Sequence, residues 1–399
     1  MTSASGEQRW VDPTPLVERT LEHLDALGCR RVVLHGYRGR SHTHHWVMWA
    51  IERAWIHILR DRPDVSLCWA DNRNPLPFEA LEQAVVWGNV NVDRVDYTLP
   101  IVPGACYVMH DHHPGRTSTA DYAEHVASGR ALFYEVFRGH DDPDARPVDG
   151  EVPVHTWSPA RGVARITWGT DLLPDEIAHN RELVVAAGPR RPPGEVVFVG
   201  SAWRNNADDL AALAQAAVER GLRFVHHGRV MTDVRWPDHP MVVSTDGSVS
   251  HDDNVRLVRE ALVAPAFQGK AQLPNPDERG NYVPCRIYKN ISYGAPPVTN
   301  NATVKTLLGE GVALGRTPGQ MLDAALAVLE ADPQQQALEE LMAEVARRHT
   351  YLSRVEMLMR LMVEHREARA RVPAPGARRA GAGLRLRKLA HRVVGRRWQ

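Results

Sequence analysis

The run YVMHDHHPGR (107–116) sets His110, Asp111, His112 and His113 side by side, four groups able to ligate a metal ion or to move protons. Two-ion phosphoester chemistry would need further aspartates in register, typically an Asp-x-Asp near the first strand, because each ion takes several ligands. The segment VVLHGYRGRS (32–41) contains no aspartate, and Asp71 and Asp96 offer only isolated ligands. The run is therefore read as the end of a strand lining a substrate cleft, without metal. Asp111 and His113 become acid–base candidates, joined by His42 from HGYRGRSHTHH (35–45), a loop with small residues between its basic groups. For any one of these histidines the competing role is a polar loop residue that caps the next helix.

A second constellation lies far downstream in PCRIYKNISYG (284–294). Pro284 suits the first turn of a helix and Gly294 its end, while Ile287 and Ile291 stand four apart on one apolar face. Arg286 and Lys289 are three apart on another face. The helix dipole disfavours a cation in the first turn, and a bound anion reverses that penalty by drawing backbone N–H groups and guanidinium to one phosphate. The alternative is a solvated basic face. Gly200 and Ser201, directly after the apolar run VVFV, form a further phosphate-loop candidate, with Arg204 close enough in sequence to assist.

Short β-branched runs alternating with amphipathic stretches must position these groups, the pattern of an α/β protein with largely parallel sheets. Strands are expected at 30–37, 65–71, 105–111 and 129–137, with a helix over 44–62. The Pro/Gly-dense AAGPRRPPGE (186–195) marks a linker. A second unit then begins, with strands at 195–201, 222–228 and 260–267, helices at 205–221 and 284–294, short strands at 296–301 and 312–315, and long helices from 317 to about 365. The expected organisation is an N-terminal domain over 1–185, a C-terminal domain over 195–365, and a basic tail over 366–399.

With 399 residues, 43% hydrophobic and 24% charged, the chain is long and apolar enough for two ordinary cores. Its net charge of +0 hides an asymmetry: from Arg366 onward 11 Lys/Arg face one acid, so the tail carries +10 and the body −10. Leu386, Leu389 and Val393 fall on one helical face of that tail, which suits peripheral contact with an anionic membrane leaflet. The tail lacks the interleaved aromatics of a single-strand platform, so nucleic acid is not an expected partner. Four widely spaced cysteines form no Cys-x-x-Cys pair, and no signal peptide or membrane-spanning run appears. The expected location is the cytoplasm, peripheral to the inner face of the membrane.

PCRIYKNISYGAPPVTNN (284–301), followed by RRHTYLSRVEMLMRLM (347–362), resembles the C-terminal domain of GT-B glycosyltransferases of the CgeB-like and glycosyltransferase family 1-like groups. The resemblance implies two Rossmann-like doubly wound domains facing a cleft, 1–185 binding the acceptor and 195–365 the nucleotide sugar, and metal-independent hexosyl or deoxyhexosyl transfer with no cofactor. The donor would be a nucleotide-diphosphate sugar and the acceptor a glycan, a lipid-linked sugar or a small molecule. It also implies that His349, Thr350, Tyr351 and Arg354, which match the H-[TS]-Y-x-x-R pattern, bound the nucleotide-sugar pocket. One departure stands out. Lys289 and Asn290 occupy the neighbourhood where many retaining members carry a glutamate, which leaves the stereochemical course open. Two alternatives follow from other resemblances: Asp111–His113 is similar to the motif of DHH phosphoesterases, and nucleotide-sugar 2-epimerases share the GT-B fold.

Overall fold

The computed structural model describes residues 10–36, 42–70, 76–90, 101–111, 122–135, 145–148, 155–268 and 283–371. The first unit runs α1 (Thr14–Ala26), β1 (Arg31–His35), α2 (His42–Ile58), β2 (Ser66–Ala70), β3 (Ala84–Val90), β4 (Cys106–Asp111), α3 (Ala123–Ala127) and β5 (Ala131–Glu135). Three short strands follow, β6 (Arg146–Pro147), β7 (Thr156–Ser158) and β8 (Val163–Arg165). They form one eight-stranded sheet in the order β2-β1-β3-β4-β5-β8-β7-β6. The pairs from β2 to β8 are parallel, and β7 is antiparallel to both of its neighbours. Val32, Val33 and Leu34 are fully buried, as are Val85, Val86 and Tyr107, because helices cover both faces of a parallel sheet. Strand order reverses between β1 and β3, so the crevice of this sheet opens beyond their carboxyl ends.

Helix α4 (Pro174–Ala187) leads into the second unit. There β9 (Glu195–Val199), α5 (Ala207–Glu219), β10 (Arg223–His227), β11 (Val242–Thr245) and α6 (His251–Glu260) are followed by α7 (Cys285–Tyr293), β12 (Val298–Thr299), α8 (Ala302–Leu308) and β13 (Ala313–Leu314). A parallel sheet β11-β10-β9 and a parallel pair β12-β13 are joined through residues 263–265 by the bridges Val196↔Val263 and Pro265↔Val298. Numbered along the chain, the six segments lie in the order 3-2-1-4-5-6, the doubly wound dinucleotide-binding order. Its reversal falls between β9 and the extended segment after α6. The expected strand over 260–267 is thus realised only in part: Glu260 ends α6, and the residues after it stitch the two halves of the sheet.

Helices α9 (Pro318–Ala331), α10 (Gln336–Arg348) and α11 (Tyr351–Ala370) complete the described chain. Helix α11 departs from the expected 195–365 block. Tyr351, Leu352, Val355, Leu358, Met359, Leu361 and Met362 are buried in the core of the first unit, with Leu24 of α1 and Ala54 and Trp55 of α2. Between Tyr351 and Met362 the helix is buried around most of its circumference, and α1 and α2 pack against it. The tail beyond Arg371, with the Leu386, Leu389 and Val393 stripe, lies outside the described residues. Among the described residues no helix is long and apolar enough to cross a membrane.

Candidate donor site

The strand order of the second unit fixes where a ligand can enter: beyond the carboxyl ends of β9 and of the segment after α6. A cleft opens there, with about 750 Å³ of space partly continuous with solvent. Its walls include Phe198 in β9 and Ser201 after it, Trp203 and Asn206 before α5, Phe267 and Gln268 at the facing segment, and Arg286 at the start of α7.

Two glycines let the backbone crowd together at the cleft floor. Gly200 has φ +151°, and a Cβ there would collide with the Arg286 guanidinium. Gly228 has φ +150°, and a Cβ there would run into the carbonyl of Gly200. That carbonyl is bonded by His226 Nε2 at 2.8 Å, while His226 Nδ1 meets Ser244 Oγ at 2.9 Å. Burial lowers the His226 pKa below its ordinary value, against the pull of the Gly200 carbonyl, so the ring stays neutral at physiological pH. Asn206 closes the loop, accepting from Trp203 N at 2.8 Å and donating from Nδ2 to Ser201 O at 3.1 Å.

Arg286 is the one charged side chain among the described residues lining this cleft. Its Nη1 donates to Val199 O, and its guanidinium carbon sits 4.3 Å from the centroid of the Phe198 ring. A carbonyl and an aromatic face fix the plane of the guanidinium, which is how a cation is pre-set for an anionic ligand.

The structure brings together Gly200, Ser201 and Arg286. It separates the other two expected binders. Arg204 is exposed on the loop, and the cleft-lining positions are its neighbours Trp203 and Asn205. Lys289 does not share the Arg286 environment: its Nζ lies 2.7 Å from Asp171 Oδ2, and Tyr293 OH donates to Asp171 Oδ1 at 2.8 Å. Asp171 is buried, and a buried carboxylate needs a partner cation. Burial works to raise its pKa, but Lys289, His251 and the Tyr293 hydroxyl together hold it below the usual carboxylate range. Two long side chains one helical turn apart diverge here because each meets a different strong partner. Asn290, in the neighbourhood where a glutamate was sought, is buried and donates to Ala264 O at 2.7 Å.

The H-[TS]-Y-x-x-R residues also fall elsewhere than the expected pocket wall. Arg354 is 4% exposed and donates from Nε to Thr167 O at 2.6 Å and from Nη2 to Thr167 Oγ1 at 3.0 Å. Its Nη2 also lies 3.1 Å from His349 Nδ1, and Nη1 donates to Arg348 O. The His349 ring stacks on Tyr288 at 4.3 Å, and His155 Nε2 meets Thr167 Oγ1 at 3.0 Å. Burial, with Arg354 close by, pushes both His155 and His349 well below the ordinary imidazole pKa. Thr170 N donates to His349 O at 2.7 Å, so this cluster ties the crossover after β8 to the elbow between α10 and α11.

On the first sheet, Asp111 ends β4 and His42 begins α2, both at the carboxyl edge where the crevice opens. His113 and the rest of 112–121 lie outside the described residues. Gln268 had no part in the expected set, and nothing in its local sequence singles it out.

Residues 204–360 match the family model described as glycosyl transferase-like. The match covers less than half of the chain and falls in the unit whose strands take the dinucleotide-binding order. Among solved structures the chain is similar to AviGT4, a glycosyltransferase involved in avilamycin A biosynthesis (16% identity, 81% of this chain, 97% of that one, TM-score 0.41). It is also similar to Anabaena HepE in complex with UDP and glucose (10% identity, 82% and 97%, TM-score 0.42). A third likeness is to a UDP-forming α,α-trehalose-phosphate synthase from Burkholderia xenovorans (14% identity, 81% and 79%, TM-score 0.41). No curated relative matches the sequence. The family match rests on residues 204–360, and nothing among the matches favours a phosphoesterase or a 2-epimerase.

Proposed function

We propose that the chain is a GT-B glycosyltransferase that uses a nucleotide-sugar donor, and that the cleft between β9 and α7 seats the donor diphosphate, with Arg286 as its principal cation and Gly200 and Ser201 as the close-approach loop. The observation that carries this reading is the pre-set Arg286 guanidinium, held by Val199 O and the Phe198 face at the switch point of the sheet. Glycosyl transfer releases a nucleoside diphosphate, so negative charge grows on the leaving group as the sugar departs. A cation already in place stabilises that charge without reorganising, which lowers the barrier more than it tightens ground-state binding. Lys289 serves as the counter-ion of Asp171 and supports α7 from behind. The acceptor hydroxyl approaches from the carboxyl edge of the first sheet and loses its proton to a group there, with His42, Asp111 and His113 as the candidate bases. The acceptor is a glycan, a lipid-linked sugar or a small molecule.

Thermal unfolding in the presence of UDP, GDP, dTDP, CDP or CMP tests the donor reading, because a ligand that binds only the native state raises its stability. At least one diphosphate should raise the midpoint and CMP should not. A flat response to all five removes the cleft from consideration. Contact of the tail with anionic membrane is supported by its 11 Lys/Arg against one acid. The full chain should sediment with phosphatidylserine vesicles at low salt, and a chain ending at Arg371 should stay in the supernatant. Equal partitioning rejects the contact.

A further inference from the structure

Gln268 is 1% exposed, yet it lines the cleft, and its Nε2 has no hydrogen-bond partner among the described residues. Its surroundings fix which end of the amide faces where. The backbone N–H of Thr303 can only donate, and it bonds Asn301 Oδ1 at 2.9 Å at the start of α8. That contact turns Asn301 Nδ2 toward Gln268, where it donates to Oε1 at 2.8 Å. The Gln268 main chain is engaged as well: its N donates to Asn300 Oδ1 at 2.9 Å, and its O accepts from Asn300 Nδ2 at 2.9 Å. The only polar atom of Gln268 left for the cleft is therefore the amide nitrogen, a donor. A chain of unambiguous donors sets this orientation, which an isolated glutamine would leave open.

We infer that Gln268 is a specificity-determining residue that donates from Nε2 to a bare acceptor oxygen of the nucleoside diphosphate, either a phosphate oxygen or a base carbonyl. The inference rests on the cleft being the donor seat. A buried amide N–H without a partner is costly, and an acceptor oxygen arriving with the ligand relieves that cost. A ligand that presents a donor or an apolar group at that point leaves the cost in place, so the cleft discriminates against it.

Calorimetric titration of the full-length protein with UDP, GDP, dTDP and CDP tests this, comparing wild type with Gln268→Met and Gln268→Glu. Gln268→Met removes the donor and should weaken the best diphosphate about tenfold, the worth of one such hydrogen bond. Gln268→Glu keeps an oxygen for Asn301 Nδ2 but turns an acceptor toward the ligand, so it should lose more than the Met variant. A merely structural role predicts the reverse, with Met the more damaging and Glu near wild type in affinity. Inorganic pyrophosphate separates the two oxygens: if its binding weakens in step, the acceptor is a phosphate oxygen, and if only the nucleotides weaken, it is a base carbonyl. Affinities within twofold of wild type in both variants overturn the inference while leaving the donor seat intact. If wild type itself binds none of the four diphosphates, the donor seat falls and the inference with it.

Discussion

Arg286 and Arg354 both donate to backbone carbonyls beside an aromatic or imidazole ring, and they differ in what lies beyond the guanidinium. Around Arg354 the protein supplies Thr167, Arg348 and His349, and the whole cluster is closed off from solvent. Around Arg286 the described residues supply Val199 O and the Phe198 face, and the side chain lines a cleft. The first arrangement spends its donors on holding two parts of the chain together. The second holds a cation still and turns it toward a space where a ligand fits. Motif letters cannot separate these roles, because both arginines stand in stretches that resemble the same family.

The largest effect should come from the closed cluster. Arg354→Met strands buried acceptors at Thr167 and Arg348, each costing roughly 1–3 kcal/mol, so a loss on the order of 3–5 kcal/mol in urea unfolding is expected. Turnover per folded molecule should change little. A stability loss below about 1 kcal/mol would erase the contrast between the two arginines.

Next comes the open cluster. Arg286→Ala should fold normally, since its removal deletes no core volume, and should lower kcat on the order of 10²–10³-fold. Unfolding midpoints that drop as far as those of Arg354→Met, with turnover kept, would reverse the assignment.

The smallest effect is a pH dependence confined to the closed cluster. His155 and His349 have folded pKa values depressed by burial, so the unfolded chain binds protons that the folded chain refuses. Their contribution is fully present above the unfolded value of about 6.5 and fades as the pH falls toward their folded values. Each histidine should contribute a slope of up to about 1.4 kcal/mol per pH unit in that window. Replacing His349 by Gln should remove one histidine's share from the slope measured between pH 6.5 and 5. An unchanged slope would mean that His349 is protonated in the folded state.

Where local chemistry dictates structure, the sequence was informative. Strands β1 and β9 are short apolar runs ended by glycine, and α7 lies between Pro284 and a left-handed Gly294 with φ +100°. Strand β3 escaped notice because the turn before it is made by Gln83 at φ +57° rather than by glycine, so no punctuation announces it. The cleft was half legible. Gly200, Ser201 and Arg286 stand in recognisable local patterns, but the partner that takes the charge of Lys289 is Asp171, from a loop in the distant crossover. Gln268 was invisible for a related reason: its meaning lies in an orphaned nitrogen, and that depends on Asn300 and Asn301 arriving from the far side of α7.

Helix α11 gives the molecule a direction. It starts at Tyr351, beside the bridge Thr170↔Thr350 at the ligand-facing edge of the first sheet. It ends where Arg366 reaches Leu27 O, just before β1, and Arg369 reaches Ala160 O, just before β8. Twenty residues of helix span about 30 Å, enough to cross the sheet from one edge to the other. The described chain thus ends at the opposite edge from the carboxyl ends of the strands. With the proposed membrane contact, a tail leaving from that edge would hold the protein by its heel and turn the carboxyl edge of the first sheet away from the surface. Acceptors would then be drawn from the water side, and a lipid-linked acceptor would need a headgroup long enough to reach around the sheet.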